Sequence, residues 1–248
     1  MDLLIAIDDT DSIEEGATGQ LAQHIAKRID QRGWGRCGAI TRHQLLLAPE
    51  VPYTSHNSSM CFPASVHVPR SELIAFCSEI LKACSAAGSD PGLCIVCPEE
   101  LQDHEVLIGY GKATKQRVMT KEEAYQLAED LGLHLSEHGG NGQGIIGALA
   151  GTGLRLSGND GRFCGKCTIP SSHGITTVTQ IHAAGIDRVQ TLEGHHLGVA
   201  EPVFVGEWVK TVLLDNQSVL LVEPNARPER PSSDAPWKAC ERKIFMNY

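Results

Sequence analysis

The stretch IAIDDTDS, residues 5–12, places three carboxylates, those of Asp8, Asp9 and Asp11, within four positions. Like charges at this spacing repel one another unless a cation or a helix N-terminus neutralises them. The apolar run before them, residues 3–7, is typical of a buried central strand, and α/β sheets bind ligands at the carboxyl ends of strands. Mg²⁺ prefers carboxylate oxygens together with substrate phosphates. The stretch therefore predicts a magnesium and phosphate site, and the alternative is a solvated acidic turn.

A second stretch, GQGIIG at residues 142–147, matches the pattern G-x-G-x-x-G and lies between a predicted short strand and a predicted helix that starts near Gln143. Glycines there let a phosphate approach backbone N–H groups at the positive end of a helix. The alternative is a tightly packed helix start without a ligand. A nicotinamide dinucleotide site is not favoured, because it would need an acid about 20 residues further on, where this chain has CGKC.

The CGKC stretch itself, with Cys164 and Cys167, lies in a polar loop and resembles half of a zinc site. A redox pair and two free thiols are the alternatives. The candidates for completing a zinc site are His173, Cys240, His195 and His196.

Four stretches in one order carry a family resemblance: IAIDDTDS, ATGQL at residues 17–21, PYTSHN at residues 52–57, and GQGIIGALAGTG at residues 142–153. Together they resemble the catalytic core of the isoleucine-tRNA agmatinylcytidine synthetases of archaea. The resemblance covers residues 2–156. The OB-fold and zinc ribbon with which those enzymes hold tRNA are not expected in residues 157–248.

The resemblance implies chemistry that depends on ATP and Mg²⁺. Members of the family phosphorylate the C2 oxygen of a wobble cytidine, which agmatine then displaces. By the same resemblance, Asp8, Asp9 and Asp11 would hold the metal and the phosphates. The remaining positions carried over as nucleotide-binding residues are Thr10, Ser12, Thr18, Asn57, Gly142, Gln143 and Gly144.

Apolar periodicity predicts the elements of the core. A helix is expected over residues 18–30, strands over 36–47 and 60–68, a helix over 71–87 and a strand over 92–97. Two helices broken near Thr120 are expected over 102–131. This alternation predicts an α/β (α+β) two-layer core with a ferredoxin-like βαβ portion around residues 59–131.

We expect three parts along the chain. Residues 1–158 form an ATP-binding catalytic core, residues 159–223 a small β-rich segment, and residues 224–248 an extended tail rich in proline. Within the second part, a hairpin is expected around Asp215 and Asn216.

Composition limits the classes of function. The net charge of −9 and the pI of about 5.6 argue against a broad electropositive surface for nucleic acid. No apolar run approaches the ~20 residues of a membrane span, and the N-terminus lacks a basic region. We therefore expect a cytoplasmic protein without membrane association, and we expect its nine cysteines to be mostly reduced.

The sequence favours an ATP- and Mg²⁺-dependent phosphoryl-transferring enzyme that acts on a small molecule or a nucleoside-type acceptor. A non-catalytic nucleotide sensor is one alternative, and a true tRNA-modifying enzyme is another. The acidic balance predicts weak binding of tRNA. The sequence leaves open whether the protein is a monomer or a homo-oligomer.

Overall fold

The structure is a computed structural model that describes residues 1–12, 16–51, 57–225, 235–241 and 243–248. The chain divides into two compact units, Met1–Ser157 and Gly158–Tyr248. In these ranges no helix is both long enough and apolar enough to cross a lipid bilayer. Most of the predicted loop PYTSHN, residues 52–56, lies outside the described residues.

The N-terminal unit alternates strands with helices in the predicted order. Its elements are β1 (Asp2–Asp8), α1 (Thr18–Gln31), β2 (Gly35–Cys37), β3 (Thr41–Gln44), β4 (Ser58–Val66), α2 (Arg70–Cys84), β5 (Gly92–Val96), a 3-10 turn (Pro98–Glu100), α3 (His104–Ala113), α4 (Lys121–Asp130), β6 (His134–Glu137) and α5 (Gly144–Leu156).

Strand β1 lies in the middle of the sheet of this unit, whose order is β6-β5-β1-β4-β3, with β2 also pairing with β4. It runs antiparallel to both neighbours, so that Ile5 is opposite Phe62 on β4 and opposite Ile95 on β5. All three of these side chains are buried. An uninterrupted apolar strand such as β1 is therefore suited to the middle of a sheet that is covered on both faces.

Helices cover both faces of this sheet. Alternate residues of a strand point to opposite faces, and Ala6 belongs to a core cluster with residues of α3, α4 and α5. On the other face α1 lies close to the sheet, because a Cβ atom on Gly19 would contact the Met60 side chain. The predicted α/β (α+β) class is confirmed. Strands β1, β4 and β5 have buried apolar residues on both faces of the sheet.

The segment β4-α2-β5 is a βαβ unit with parallel strands, because both strands run antiparallel to the β1 strand that lies between them. This split βαβ connection lies within the range for which a ferredoxin-like portion is predicted. The ferredoxin-like assignment of residues 59–131 as a whole stays a prediction.

Two local features explain where elements break. Thr120 forms a capping box with Glu123 at the start of α4, which ends the preceding helical segment as predicted. The single strand predicted over residues 36–47 is instead two strands. Gly38 lies between them, its N–H donates to the Pro63 carbonyl, and a Cβ atom on it would lie 2.6 Å from Pro63 Cγ.

The C-terminal unit is mostly β structure. Its elements are β7 (Arg162–Phe163), β8 (Ile175–Thr177), α6 (Val178–Ala183), β9 (Arg188–Thr191), β10 (Pro202–Phe204), β11 (Val212–Leu214), β12 (Gln217–Pro224), β13 (Trp237–Ala239) and a 3-10 turn (Ile244–Asn247). The strand order is β7-β11-β12-β13-β10-β8, and β9 pairs with β12 in parallel.

The predicted hairpin around residues 215–216 joins β11 to β12. Asp215 and Asn216 have φ angles of 51° and 59°, as a two-residue turn between antiparallel strands requires. The described part of the predicted tail contains a paired strand and a 3-10 turn. Strand β13 pairs with both β10 and β12, and Phe245 is buried. These pairings arise from contacts with distant strands, which proline content does not indicate.

Candidate functional site

The acidic stretch follows the buried strand β1 directly. Asp8 is its last residue and is only 8% exposed, whereas Asp9 and Asp11 are partly buried. Asp9 has a φ angle of 53°, a left-handed conformation that turns the chain out of the strand. The carboxylates are therefore held at a sharp turn at the carboxyl end of the central strand.

The N-terminus of α5 lies against this turn. A Cβ atom on Gly144 would lie 2.8 Å from the backbone nitrogen of Gly92 and 3.0 Å from the carbonyl oxygen of Asp8. One turn further along α5, a Cβ atom on Gly147 would overlap Oδ2 of Asp8. The two stretches singled out in the sequence thus meet, and glycines permit the close approach.

Burial and mutual repulsion dominate the electrostatics of the acidic turn. Burial raises the pKa of Asp8 to about 8, with further repulsion from Asp9 and a small opposing effect of Arg42. Burial also raises the pKa of Asp9 to about 6, followed by repulsion from Asp90 and then Asp11. Without a ligand, Asp8 is therefore mostly protonated at neutral pH. A bound cation would favour its ionised form.

Hydroxyl groups connect the acidic turn to α1. The Thr18 hydroxyl donates to Oδ1 of Asp11 at 2.6 Å and accepts from the Thr10 backbone N–H at 3.4 Å. Thr18 is the first residue of α1, and Ala17 occupies the N-cap position without a side-chain hydrogen bond. The Thr18 side chain serves the loop before the helix, since its hydroxyl is already bound to Asp11.

We expect Thr18→Val to lower the free energy of unfolding by about 1–2 kcal/mol, because the variant keeps the shape of the side chain but removes a hydrogen bond to a carboxylate. Thr18→Ser keeps the hydroxyl and should stay within about 0.5 kcal/mol of the wild type. Urea denaturation of the three proteins measures both differences. Equal stability of the valine and serine variants would contradict this role of the hydroxyl.

The residues of the turn fit a divalent cation that is completed by substrate. The Thr10 hydroxyl oxygen is buried without a hydrogen-bond partner. In the sequence, Thr10 stands between Asp9 and Asp11. Within the described ranges, no group of three or more histidine, cysteine, aspartate or glutamate side chains converges as a preformed metal site. Mg²⁺ commonly binds through one or two carboxylates plus phosphate oxygens, so a complete protein cage is not required.

The glycine stretch offers fewer free N–H groups than the sequence predicts. The Gly144 N–H donates to the Asp90 carbonyl at 3.0 Å, so in this structure it is not available to phosphate. The Gln143 N–H donates to Oδ1 of Asn141 at 3.1 Å, and the Gln143 side chain is exposed. Gly142 has a φ angle of 77° beside the Glu137 side chain. That Gly142, Gln143 and Gly144 donate hydrogen bonds to a phosphate stays a prediction. In this structure Gly144 allows α5 to approach the acidic turn because it has no side chain.

Two other predicted residues are placed near loops. The Asn57 side chain donates to the Leu46 carbonyl at 2.8 Å and so fixes the segment before β4. Ser12 is partly buried after the acidic turn. For both, binding of a nucleotide stays a prediction.

Three residues near the site were not among the predicted site residues. Asp90 precedes β5 and repels Asp9. Arg42 on β3 lowers the pKa of Asp8, and its Nε donates to the Ser58 hydroxyl at 2.8 Å. Gly147 admits the Asp8 carboxylate beside α5. Only Gly147 gave a signal in the sequence, as the last glycine of G-x-G-x-x-G.

In the C-terminal unit, the side chains of Cys164 and Cys167 are partly buried. The Cys167 backbone forms an isolated β-bridge with Val209. None of the suggested partners, His173, Cys240, His195 and His196, joins them in a group of three ligands within the part of the chain that the structure describes. The zinc site at Cys164 and Cys167 therefore stays a prediction.

Comparison with known proteins gives a consistent set of structural relatives. No protein-family model matches the sequence, and no curated protein matches it significantly. A crystal structure of a tRNA fluorescent labeling enzyme superposes with a TM-score of 0.54 at 26% identity, over 62% of this chain and 36% of the other. A complex of TiaS with tRNA and ATP gives a TM-score of 0.55 at 26% identity over the same shares.

A structure of TiaS without ligands, described as a tRNA agmatidine synthetase, has a TM-score of 0.51 at 25% identity. A further TiaS structure contains tRNA, AMPCPP and agmatine. The chain spans little more than a third of the length of these proteins. The resemblance to an agmatidine synthetase core that the motifs indicated is confirmed over about three-fifths of this chain.

Proposed function

We propose that the N-terminal unit binds ATP with Mg²⁺ at the end of β1 and transfers a phosphoryl group to a nucleoside-type acceptor. The observation that carries the proposal is the contact between the acidic turn and the glycine-rich start of α5, in which Gly147 leaves room for the Asp8 carboxylate. Structural relatives that contain ATP or AMPCPP support the choice of nucleotide.

Phosphoryl transfer is mainly a matter of positioning and of neutralising charge. The acidic turn of Asp8, Asp9 and Asp11 would supply one or two carboxylate ligands to Mg²⁺, and Mg²⁺ would neutralise charge on the ATP phosphates. The buried Thr10 hydroxyl, which lacks a partner, would donate to a phosphate oxygen. The rigid link between Thr18 and Asp11 would keep the turn in place before ATP binds.

The first test is calorimetric titration with ATP. We expect binding that requires Mg²⁺ and that falls by about 100-fold in Asp11→Ala, because that carboxylate would lose its contact with the cation. Asp130→Ala on the exposed surface of α4 is the matched control and should bind normally. Equal binding in the presence of EDTA, or unchanged affinity in Asp11→Ala, would contradict the proposal.

Turnover distinguishes an enzyme from a sensor. Release of phosphate or pyrophosphate from ATP should be stimulated by one member of a panel of nucleosides, amines and tRNA. ATP binding without turnover over the whole panel would instead identify a nucleotide sensor.

The same proposal leaves the acceptor to be identified, and tRNA has a separate test. Because acidic residues outnumber basic ones by 30 to 21, we expect isoleucine tRNA to bind no more tightly than the ~10⁻⁴ to 10⁻⁶ M of non-specific binding at physiological salt. Filter binding measures this affinity. Submicromolar, sequence-selective binding would contradict this expectation and favour the alternative of a tRNA-modifying enzyme.

A further inference from the structure

Asp90 stands where the two halves of the candidate site meet, although it belongs to neither motif. It lies in the short loop Ser89-Asp90-Pro91 that leads into β5. Strand β5 is paired with β1 on one side and with β6 on the other. The acidic turn follows β1 and the glycine loop, residues 139–143, follows β6. Asp90 is therefore placed between the two loops by the register of three strands.

Two polar groups of Asp90 accept hydrogen bonds, one from the glycine loop and one from the start of α5. Its carboxylate Oδ1 accepts from the Asn141 N–H at 2.5 Å, and its carbonyl accepts from the Gly144 N–H at 3.0 Å. The acidic turn is close by, because a Cβ atom on Gly144 would lie 3.0 Å from the Asp8 carbonyl as well as against the Asp90 carbonyl. One residue thus binds the glycine loop and the first residue of α5 beside the acidic turn.

The glycine loop has no space for a side chain beside this carboxylate. A Cβ atom on Gly140 would overlap Oδ1 of Asp90 and would lie 2.8 Å from the Ser89 carbonyl. Gly139 is similarly close to Pro91, with 3.1 Å between a Cβ atom and Pro91 Cδ. The glycines therefore allow the loop to lie close to Asp90, in addition to any room that they leave for a phosphate.

We propose that Asp90 is a positioning residue that couples the acidic turn to the glycine loop and thereby keeps the ATP site assembled before ligand binds. Its carboxylate acts by accepting the Asn141 N–H, and a negative charge is not needed for that hydrogen bond. The consequence for ATP rests on the proposed function. The coupling itself is a property of the ligand-free protein, so it can be measured without ATP.

Amide hydrogen exchange of the ligand-free protein tests the coupling directly. Asp90→Ala should speed exchange in the segment 139–146 by about 10-fold, because the Asn141 N–H loses its acceptor. Asp90→Asn keeps an Oδ1 atom and should restore most of the protection. Unchanged exchange in Asp90→Ala would overturn the proposal, whatever happens with ATP.

Calorimetry of the same variants separates positioning from direct contact with a cation. For positioning, ATP affinity should fall about 10-fold in Asp90→Ala and by no more than about threefold in Asp90→Asn. Equal losses in both variants would show that the charge itself is required and would overturn the positioning role. Faster exchange in Asp90→Ala, in a protein that does not bind ATP at all, would leave the coupling intact and reject the proposed function.

A pair of glycine variants provides the matched control. Gly140 and Gly132 have φ angles of 54° and 64°, so alanine is similarly strained at both, but nothing lies within 4 Å of a Cβ atom on Gly132. Gly140→Ala should speed exchange in segment 139–146 as Asp90→Ala does, and Gly132→Ala should not. In the Asp90→Ala background, the further effect of Gly140→Ala should become smaller, because only the strain of the positive φ angle and the contact with the Ser89 carbonyl remain. Additive effects of the two substitutions would count against the coupling.

Discussion

Asp8→Asn should stabilise the ligand-free protein while removing its binding of ATP with Mg²⁺. The Asp8 carboxylate is buried beside two other acids, and burial followed by repulsion from Asp9 raises its pKa to about 8. At pH 8 the buried Asp8 carboxylate of the wild type is therefore partly ionised, which lowers the free energy of unfolding. Asparagine at this position carries no charge. The amide must itself be buried, which offsets part of the gain, so we expect about 2 kcal/mol.

The pH dependence of this gain has a definite sign. The folded-state pKa lies above the ordinary value of 3.8, so the folded protein binds a proton more tightly than the unfolded chain does. The contribution of Asp8 to stability is therefore fully present below about pH 4 and is lost as the pH rises to about 8. Asp9, with a pKa of about 6, acts in the same direction over a lower range. The advantage of Asp8→Asn should consequently grow between pH 4 and pH 8.

Urea denaturation at pH 5 and pH 8 measures the gain in stability, and calorimetry measures ATP affinity. We expect the affinity to fall by about 100-fold or more, since the carboxylate would no longer contact the cation. Asp2→Asn makes the same change of charge at the exposed start of the same strand and should alter neither quantity. A variant that is less stable at pH 8 than the wild type would contradict the burial argument. Such an exchange of stability for function is common at binding sites.

Gly92→Ala should destabilise the protein more than alanine at Gly140 or Gly132 does. A Cβ atom on Gly92 would overlap the backbone of Gly144 and Ile145, where β5 begins beside α5. Backbone atoms on both sides cannot move aside as a flexible side chain can. We therefore expect a loss of about 3 kcal/mol or more in the free energy of unfolding. ATP affinity should fall as well, because the start of α5 would be displaced from the acidic turn.

Gly109→Ala is the matched control for this substitution. Gly109 lies within α3, is exposed, and would have nothing within 4 Å of an added Cβ atom. Alanine is the better helix former, so this variant should be more stable by about 0.5–1 kcal/mol. The midpoints of urea denaturation at unchanged m-value compare the two variants. Similar stabilities would show that β5 and α5 can separate at low cost.

Local features of the fold were predictable because a few adjacent residues determine them. The capping box of Thr120 and Glu123 ends one helical segment and starts another within four residues. Asp215 and Asn216 tolerate the positive φ angles of a hairpin turn, which makes the turn a property of the dipeptide. The uninterrupted apolar run of β1 likewise indicates a buried strand wherever the strand pairs.

The motifs that carry the proposed chemistry were also visible in the sequence. Three carboxylates within four residues are unusual without a cation, and the glycine pattern is typical of a helix start that approaches a ligand. Similarity to the structures of TiaS confirms the resemblance that these motifs indicated. The sequence by itself therefore determined which stretches belong together and which class of chemistry to consider.

Only the tertiary structure decided how those stretches are joined. Asp90 is an ordinary loop residue in the sequence, and its hydrogen bond to Asn141 links positions 51 residues apart. The packing of α3, α4 and α5 on the sheet and the pairing of β13 with β10 and β12 depend on equally distant contacts. Such contacts are set by the register of whole strands, which residue type and local spacing do not specify. The same register turns the acidic stretch and the glycine stretch, some 130 residues apart in the sequence, into one site.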